Sequence, residues 1–301
     1  MIWEGFRTPL PNSDLKYPAL KDRVSGDLMN RTELLVFLET IGAHPKKSLS
    51  QNFLIDGNIV RKIVKIADVK PGDQVLEIGP GPGALTQELL ASGATVLAIE
   101  KDALFAKHLL RFQTPDNRLE VHAADFLSFK LPSNPYKIVA NLPYHITTPI
   151  LEKLCLHSFI SMTVMVQKEV ADRIKAKPST KQFGSLTLFL QFYSTLHSSF
   201  SVSASCFYPR PAVDSTVLRL DARRPPDIDP TYLFPIIHKA YQQRRKTLTS
   251  TLRALHPAIA SILESLGLSP KARPEELSLD QWVSFAKQLQ IYTQVDSKIG
   301  F

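Results

Sequence analysis

The stretch DQVLEIGPGPGALTQELLASGATVLAIEKD, residues 73–102, contains a whole structural unit. DQVLEIG (73–79) is a short apolar run that ends in glycine, the pattern of a buried strand. ALTQELLASG (84–93) has helical character, with Gly93 just past its end. TVLAIE (95–100) is a second strand, closing on Glu100. Between strand and helix, EIGPGPGA (77–84) places glycines where a backbone must turn sharply and approach a ligand without a Cβ in the way. The helix start beyond them offers free N–H groups and a partial positive charge. Gly79-x-Gly81-x-x-Ala84 also satisfies the dinucleotide fingerprint, and Glu100 suits the two adjacent hydroxyls of a ribose. These residues point to a nucleoside-type ligand over the C-terminal edge of a sheet, without separating its classes.

Working outward, the same alternation continues. GNIVRKIVKIADV (57–69) predicts a helix with Ile59, Ile63 and Ile66 on one face, and DALFAKHLLRF (102–112) another. Strands are expected at 119–125, 136–144 and 162–167, with two late ones near 195–202 and 216–220. Strands alternating with helices predict an α/β fold with a parallel, doubly wound sheet. On the N-terminal side, Asn30 or Thr32 would cap a helix whose apolar face is Leu34, Leu35, Leu38 and Ile41. Residues 1–28, rich in Pro, Gly and polar groups, read as a flexible extension. DARRPPDIDP (221–230) reads as a linker, giving a main domain over 29–222 and a small helical domain over 223–301.

The 301 residues are 44% hydrophobic and 9% aromatic, ordinary for a folded chain. No stretch approaches the ~18 to 20 apolar residues of a membrane helix, so no membrane partner is expected. Cys155 and Cys206 are the only cysteines and lie in no CxxC or Cys/His cluster. That pattern excludes a disulfide framework and a zinc site, assigns both thiols to packing, and fits a reducing cytoplasm. The net charge of +8 divides as −1 over 1–43, +5 over 44–222 and +4 over 223–301, which suits a polyanionic partner such as nucleic acid.

Two further motifs follow strands three and four. Asp125, in HAADFL, is placed either to accept from an adenine amine in the same crevice or to cap a short turn. Asn141-Leu142-Pro143-Tyr144, in NLPYHITTPIL (141–151), offers acceptors for both N–H groups of an exocyclic amine. These are the Asn141 side-chain oxygen and the Leu142 carbonyl. Pro143 stiffens the loop, and Tyr144 gives a flat face for an unstacked base, worth ~1–3 kcal/mol. Neither acceptor titrates near neutrality, so such a site would act by orientation and electrostatics.

With these motifs in order, the chain resembles the ribosomal RNA adenine N6,N6-dimethyltransferases from about Lys47 to the C-terminus. The resemblance rests on SLSQNFLID (48–56), VLEIGPGPGALT (75–86), VLAIEKD (96–102), AADFL (123–127), VANLPYHITTPIL (139–151), VQKEVADRI (166–174), FYPRPAVDSTVLRL (207–220) and QRRKTL (243–248). It implies a Rossmann-like, S-adenosylmethionine-dependent methyltransferase sheet with a small C-terminal helical domain that binds RNA. It also implies N6,N6-dimethylation of two adjacent adenosines in a hairpin loop near the 3′ end of small-subunit ribosomal RNA, by a cytoplasmic monomer acting in ribosome biogenesis. On this resemblance Glu77, Gly79, Gly81 and Asn141 would line the methyl donor, Glu100 would hold its ribose and Asp125 its adenine. Gln51, Asn52 and Leu54 would fold over it. Asn141, Leu142, Pro143 and Tyr144 would hold the target adenine, and Phe207 would clamp its other face. Arg244, Arg245 and Lys246, with Lys46, Lys47, Lys175, Lys177 and Lys181, are candidate phosphate contacts, the arginines best suited to bidentate pairing.

One departure is visible: the family usually has Gly before Gln-Asn-Phe-Leu, where this chain has Ser50. A positive φ there would strain the serine. Three alternatives remain open on sequence: a large-subunit adenine dimethyltransferase of the macrolide-resistance type, a non-catalytic assembly factor, and a nicotinamide dehydrogenase. The last lacks any His/Arg/Asp hydride-transfer set.

Overall fold

The computed structural model describes residues 28–113, 115, 116 and 118–299. The extension expected over 1–28 lies, except for Leu28, outside the described residues. Asn30 caps α1 (Arg31–Thr40): its side chain accepts from Glu33 N, and the Glu33 carboxylate accepts from Asn30 N. Such a cap contributes about 1 kcal/mol. The buried face is Leu34, Phe37 and Leu38, while Leu35 is 38% exposed. The expected Leu35 is corrected to Phe37 because Phe37 and Leu38 lie three and four residues after Leu34 and share its face, whereas Leu35 is turned about 100° away from it.

A two-residue strand β1 (Phe53–Leu54) precedes α2 (Gly57–Ala67), capped by Asp56. α2 buries Val60, Ile63, Val64 and Ala67, so its inner face is turned from the expected Ile59, Ile63 and Ile66. The predicted unit over 73–102 forms as β2 (Gln74–Ile78), α3 (Ala84–Ala91) and β3 (Thr95–Glu100). It continues through α4 (Ala103–Leu109), β4 (Leu119–Ala123), β5 (Tyr136–Asn141), α5 (Thr147–Cys155) and β6 (Phe159–Gln167). Then come α6 (Lys168–Ile174), α7 (Ser185–Tyr193), β7 (Ser194–Val202), β8 (Phe207–Tyr208) and β9 (Ser215–Ala222).

Seven strands form one sheet in the order β4-β3-β2-β5-β6-β9-β7, and β1 pairs with β8 in a separate two-stranded sheet. From β4 to β6 every neighbouring pair is parallel. β2 and β3 are buried on both faces, which is why they read as continuous apolar runs. β9 departs from the all-parallel expectation: it runs antiparallel to β6, with Met162 opposite Leu220 and Val166 opposite Thr216. An antiparallel strand needs no crossover helix. The chain moves outward from β2 to β4 and returns to β5 on the other flank of β2. Strand order therefore reverses at β2 and β5, where open α/β sheets form a crevice at the strands' C-terminal ends. The core beneath it packs Val60, Ile63, Leu85 and Leu89 against Val75, Val96, Val121 and Val139.

Among the described residues the chain divides into two compact units, one of residues 28–171 and 196–222, the other of residues 172–195 and 223–299. The second contains α8 (Pro230–Tyr241), α9 (Leu248–Leu252), α10 (Ile259–Ser265) and α11 (Leu279–Ile299), as the helical periodicity of the tail predicts. It also takes in residues on the N-terminal side of the expected 222/223 boundary. Phe183 and the α7 side chains Leu188 and Phe192 join one core with Leu233, Ile237, Trp282 and Phe285. α7 is apolar on most of its surface and is stable only inside that helical core. Among the described residues no helix is long and apolar enough to cross a membrane.

Candidate active site

One cavity opens over the C-terminal ends of β2, β3, β4 and β5, and the predicted residues from Gln51 to Tyr144 line it together. Its floor is the glycine turn after β2. Gly79, Gly81 and Gly83 all have positive φ, at 63°, 54° and 91°. At Gly81 space is as restrictive as conformation, since a Cβ there would lie 3.0 Å from Phe53 Cε1.

Glu100 ends β3 and is 5% exposed. Its carboxylate accepts from Gly81 N at 2.9 Å and from Asp102 N at 2.8 Å, so it anchors the turn as well as facing the cavity. Burial pushes its carboxyl up from the ordinary value, against those two amides. Glu77 is more deeply enclosed, at 1% exposure. Thr86 Oγ1 donates to its Oε2 at 2.7 Å, while Oε1 is buried with no donor. Burial, with the nearby Glu100 charge, pushes Glu77 up to about 8.

The folded protein thus holds the Glu77 proton more tightly than the unfolded chain does. This stabilisation is whole below the ordinary value of 4.5 and is lost as pH rises toward 8. Glu77→Gln, which cannot ionise, should gain on wild type by a few kcal/mol between pH 5 and 8. Urea unfolding of both proteins across that range checks it; a constant difference would contradict it.

Asp125 follows β4, lines the cavity and also caps the turn after it: Oδ1 accepts from Leu127 N at 2.9 Å, and Oδ2 pairs with Lys101 at 2.8 Å. The Lys101 ammonium holds its carboxyl below the usual range. The loop behind it is pinned by Lys153, whose ammonium donates to the carbonyls of Phe126 at 2.8 Å and Leu127 at 2.9 Å, and also to Phe129 O.

Asn141 is the last residue of β5. Its Nδ2 donates to Asn52 O at 3.1 Å, and its Oδ1 is buried with no donor. Leu142 N continues the sheet by donating to Met165 O at 3.1 Å. Pro143 turns the chain into a short 3-10 turn, Tyr144–Ile146. Tyr144 bonds Ser215 on β9 at 2.8 Å through its hydroxyl, and burial raises its pKa.

Over the cavity runs a strap, residues 46–52. Lys46 Nζ pairs with the buried Asp102 at 2.8 Å while its own side chain stays largely exposed, so it anchors the strap from the surface. Gln51 Nε2 reaches the same Asp102 oxygen at 3.3 Å, and its Oε1 accepts from Lys46 N at 2.7 Å. Ser50 has φ +51°, the left-handed conformation that makes serine there a strained replacement for glycine. Leu54 is buried in β1, opposite Phe207 of β8.

That pairing corrects the base-clamp expectation for Phe207. It is 3% exposed, packs in the main core with Leu54, Val202 and Val217, and is not among the cavity-lining residues. Arg244 is also internally engaged, donating to Thr180 O at 3.1 Å and lying 3.8 Å from Glu275, whereas Arg245 and Lys246 are exposed. Sequence reasoning missed Asp102, Lys153, Ser215 and the contact of Ser50 Oγ with His145 Nδ1 at 2.8 Å. Only Asp102 carried a signal, as a helix cap two residues after Glu100.

A sheet reversing at β2 and β5, with its glycine turn and acids at the strand ends, is that of the Rossmann-like methyltransferases. A profile described as "Ribosomal RNA adenine dimethylase" matches residues 42–291, and the chain belongs to that family. It is 47% identical over 272 residues to a Protochlamydia amoebophila protein named ribosomal RNA small subunit methyltransferase A, covering 86% of this chain and 96% of the relative. A dimethyladenosine transferase from Plasmodium falciparum shares the fold, with TM-score 0.70 and 24% identity over 79% of this chain and 98% of that one. The 23S rRNA methyltransferase ErmE is similar too, with TM-score 0.64 and 27% identity over 79% of this chain and all of that one.

Proposed function

We propose that this protein is an S-adenosylmethionine-dependent enzyme that dimethylates N6 of two adjacent adenosines in a hairpin loop near the 3′ end of small-subunit ribosomal RNA. The observation that carries the reading is Asn141 Oδ1, a buried acceptor without a donor at the end of β5. Buried amide oxygens are nearly always paired with protein, ordered water or a bound group, and this one lines the cavity, where a ligand would supply the donor. The donor also fits the floor. Glu77 Oε1 is a second unpartnered oxygen, and the turn has no Cβ at Gly79 or Gly81 to obstruct an approaching ligand.

Bound there, the donor would supply an electrophilic methyl on a sulfonium. Glu100 would accept from the ribose hydroxyls through the lone pairs its two amide partners leave free. Asp125 would meet the adenine of the donor at the edge of the cavity. Asn141 Oδ1, with the Leu142 carbonyl, would accept from the N–H groups of the target amine and draw its lone pair out of the ring. Tyr144, held by Ser215, would support the extruded base. A loop base is already partly unstacked, so extrusion costs less than from a duplex.

The small-subunit target is favoured over the large-subunit one by the 47% identity to a relative bearing the small-subunit name. Incubating the protein with labelled donor and purified small or large subunits lacking these methyl groups tests it. Label should enter the small subunit alone; label in the large subunit alone would replace the reading with the alternative. RNA binding should also weaken steeply with salt. The Arg245→Ala/Lys246→Ala double variant should lower the slope of log K against log salt by about 1.5, the share of two phosphate contacts. An unchanged slope would remove both residues from the interface.

A further inference from the structure

Asn141 has two nearly isosteric amide ends, and the atom it presents to the cavity is set by whatever holds the other. The Asn52 carbonyl can only accept, so it takes Nδ2 at 3.1 Å and leaves Oδ1 facing away from it without a donor. Asn52 is held in turn by its own strap, through Nδ2 to Ser50 O at 3.1 Å. Ser50 is then bound across the cavity mouth to His145, Oγ to Nδ1 at 2.8 Å, on the loop that carries Asn141. The strap is thus fastened on one side to Asp102 and on the other to the 141–145 loop. Left-handed backbone is unfavourable for serine by roughly 1–2 kcal/mol, so the conformation needs a compensating contact.

We propose that the Ser50–His145 hydrogen bond is a latch that holds the strap closed and thereby keeps the Asn141 amide turned with its oxygen toward the substrate. Ser50 and His145 are positioning residues: they act through Asn52 on Asn141. The inference deepens the methyl-transfer reading and rests on it for the identity of the ligand. The latch itself is a property of the donor-free chain.

The test uses hydrogen exchange over residues 46–54 in the donor-free protein, for wild type, Ser50→Ala, His145→Ala and the double variant. Each single change should speed exchange by roughly 3- to 10-fold, the equilibrium factor of one hydrogen bond. The double variant should be no faster than either single. His145→Asn, whose amide offers a polar atom near the position of Nδ1, should restore protection. Calorimetric titration with S-adenosylmethionine should show the same non-additive pattern in affinity. Additive effects, unchanged exchange, or no rescue by His145→Asn would overturn the latch. Should His145→Ala fail to fold, Ser50→Ala must still speed exchange and His145→Asn must not. Coupled exchange without any S-adenosylmethionine binding would overturn the proposed function and leave the latch standing.

Discussion

Asn141→Ala is expected to slow methyl transfer by about 10²- to 10³-fold at saturating donor and RNA, the usual loss when one preorganised polar partner of a developing charge is removed. The reason lies at the end of β5, where Oδ1 is buried without a donor. Desolvation of that oxygen is already built into the folded state, so pairing it with the target amine brings the full benefit at the moment of reaction. Nδ2 also holds Asn52 O at 3.1 Å, so the variant loosens the strap and should weaken donor binding by several-fold. Single-turnover transfer separates the effects: the larger loss must be in the rate at saturation. A variant that transfers at the wild-type rate would remove Asn141 from the chemistry.

The second large effect is expected at Glu100. Glu100→Ala leaves the buried amides of Gly81 and Asp102 without the acceptors they now have at 2.9 and 2.8 Å. Each orphaned donor costs about 1–3 kcal/mol, so the protein should be clearly destabilised and the glycine turn loosened. Donor affinity should fall by about 10²-fold or more, since the turn and the proposed ribose contact are lost together. Thermal unfolding and calorimetric titration measure the two losses. Weak binding by a variant that unfolds at the wild-type temperature would assign Glu100 to the ligand alone. Unchanged binding would refute its role.

The cavity-lining residues nearest the sheet were legible because they obey a local rule. Gly79, Glu100, Asp125 and Asn141 each end or follow a strand, and parallel strands deliver their C-terminal ends to one edge. The positive φ at Ser50 was legible for a similar reason, since one residue type replaces glycine in a recognisable run. Phe207 was misassigned because motif order says which residues are shared, not which way they point. Its strand pairs with β1, and the ring turns into the core. The pairing of Lys46 with Asp102 was not legible because the two residues are 56 apart in the sequence.

From its pattern alone the chain specifies the strands of the seven-stranded sheet, the glycine turn, the acids, the amide loop and the helical tail, since burial periodicity and turn chemistry act over a few neighbouring residues, whereas the short β1–β8 pair was not legible. Three-dimensional packing adds the antiparallel β9, the transfer of α7 to the helical unit, and the partners of each site residue. Ser50 and His145 meet across 95 residues. Such pairs exist once the sheet has brought distant loops to one edge, and burial then leaves their polar atoms no alternative but each other or a ligand.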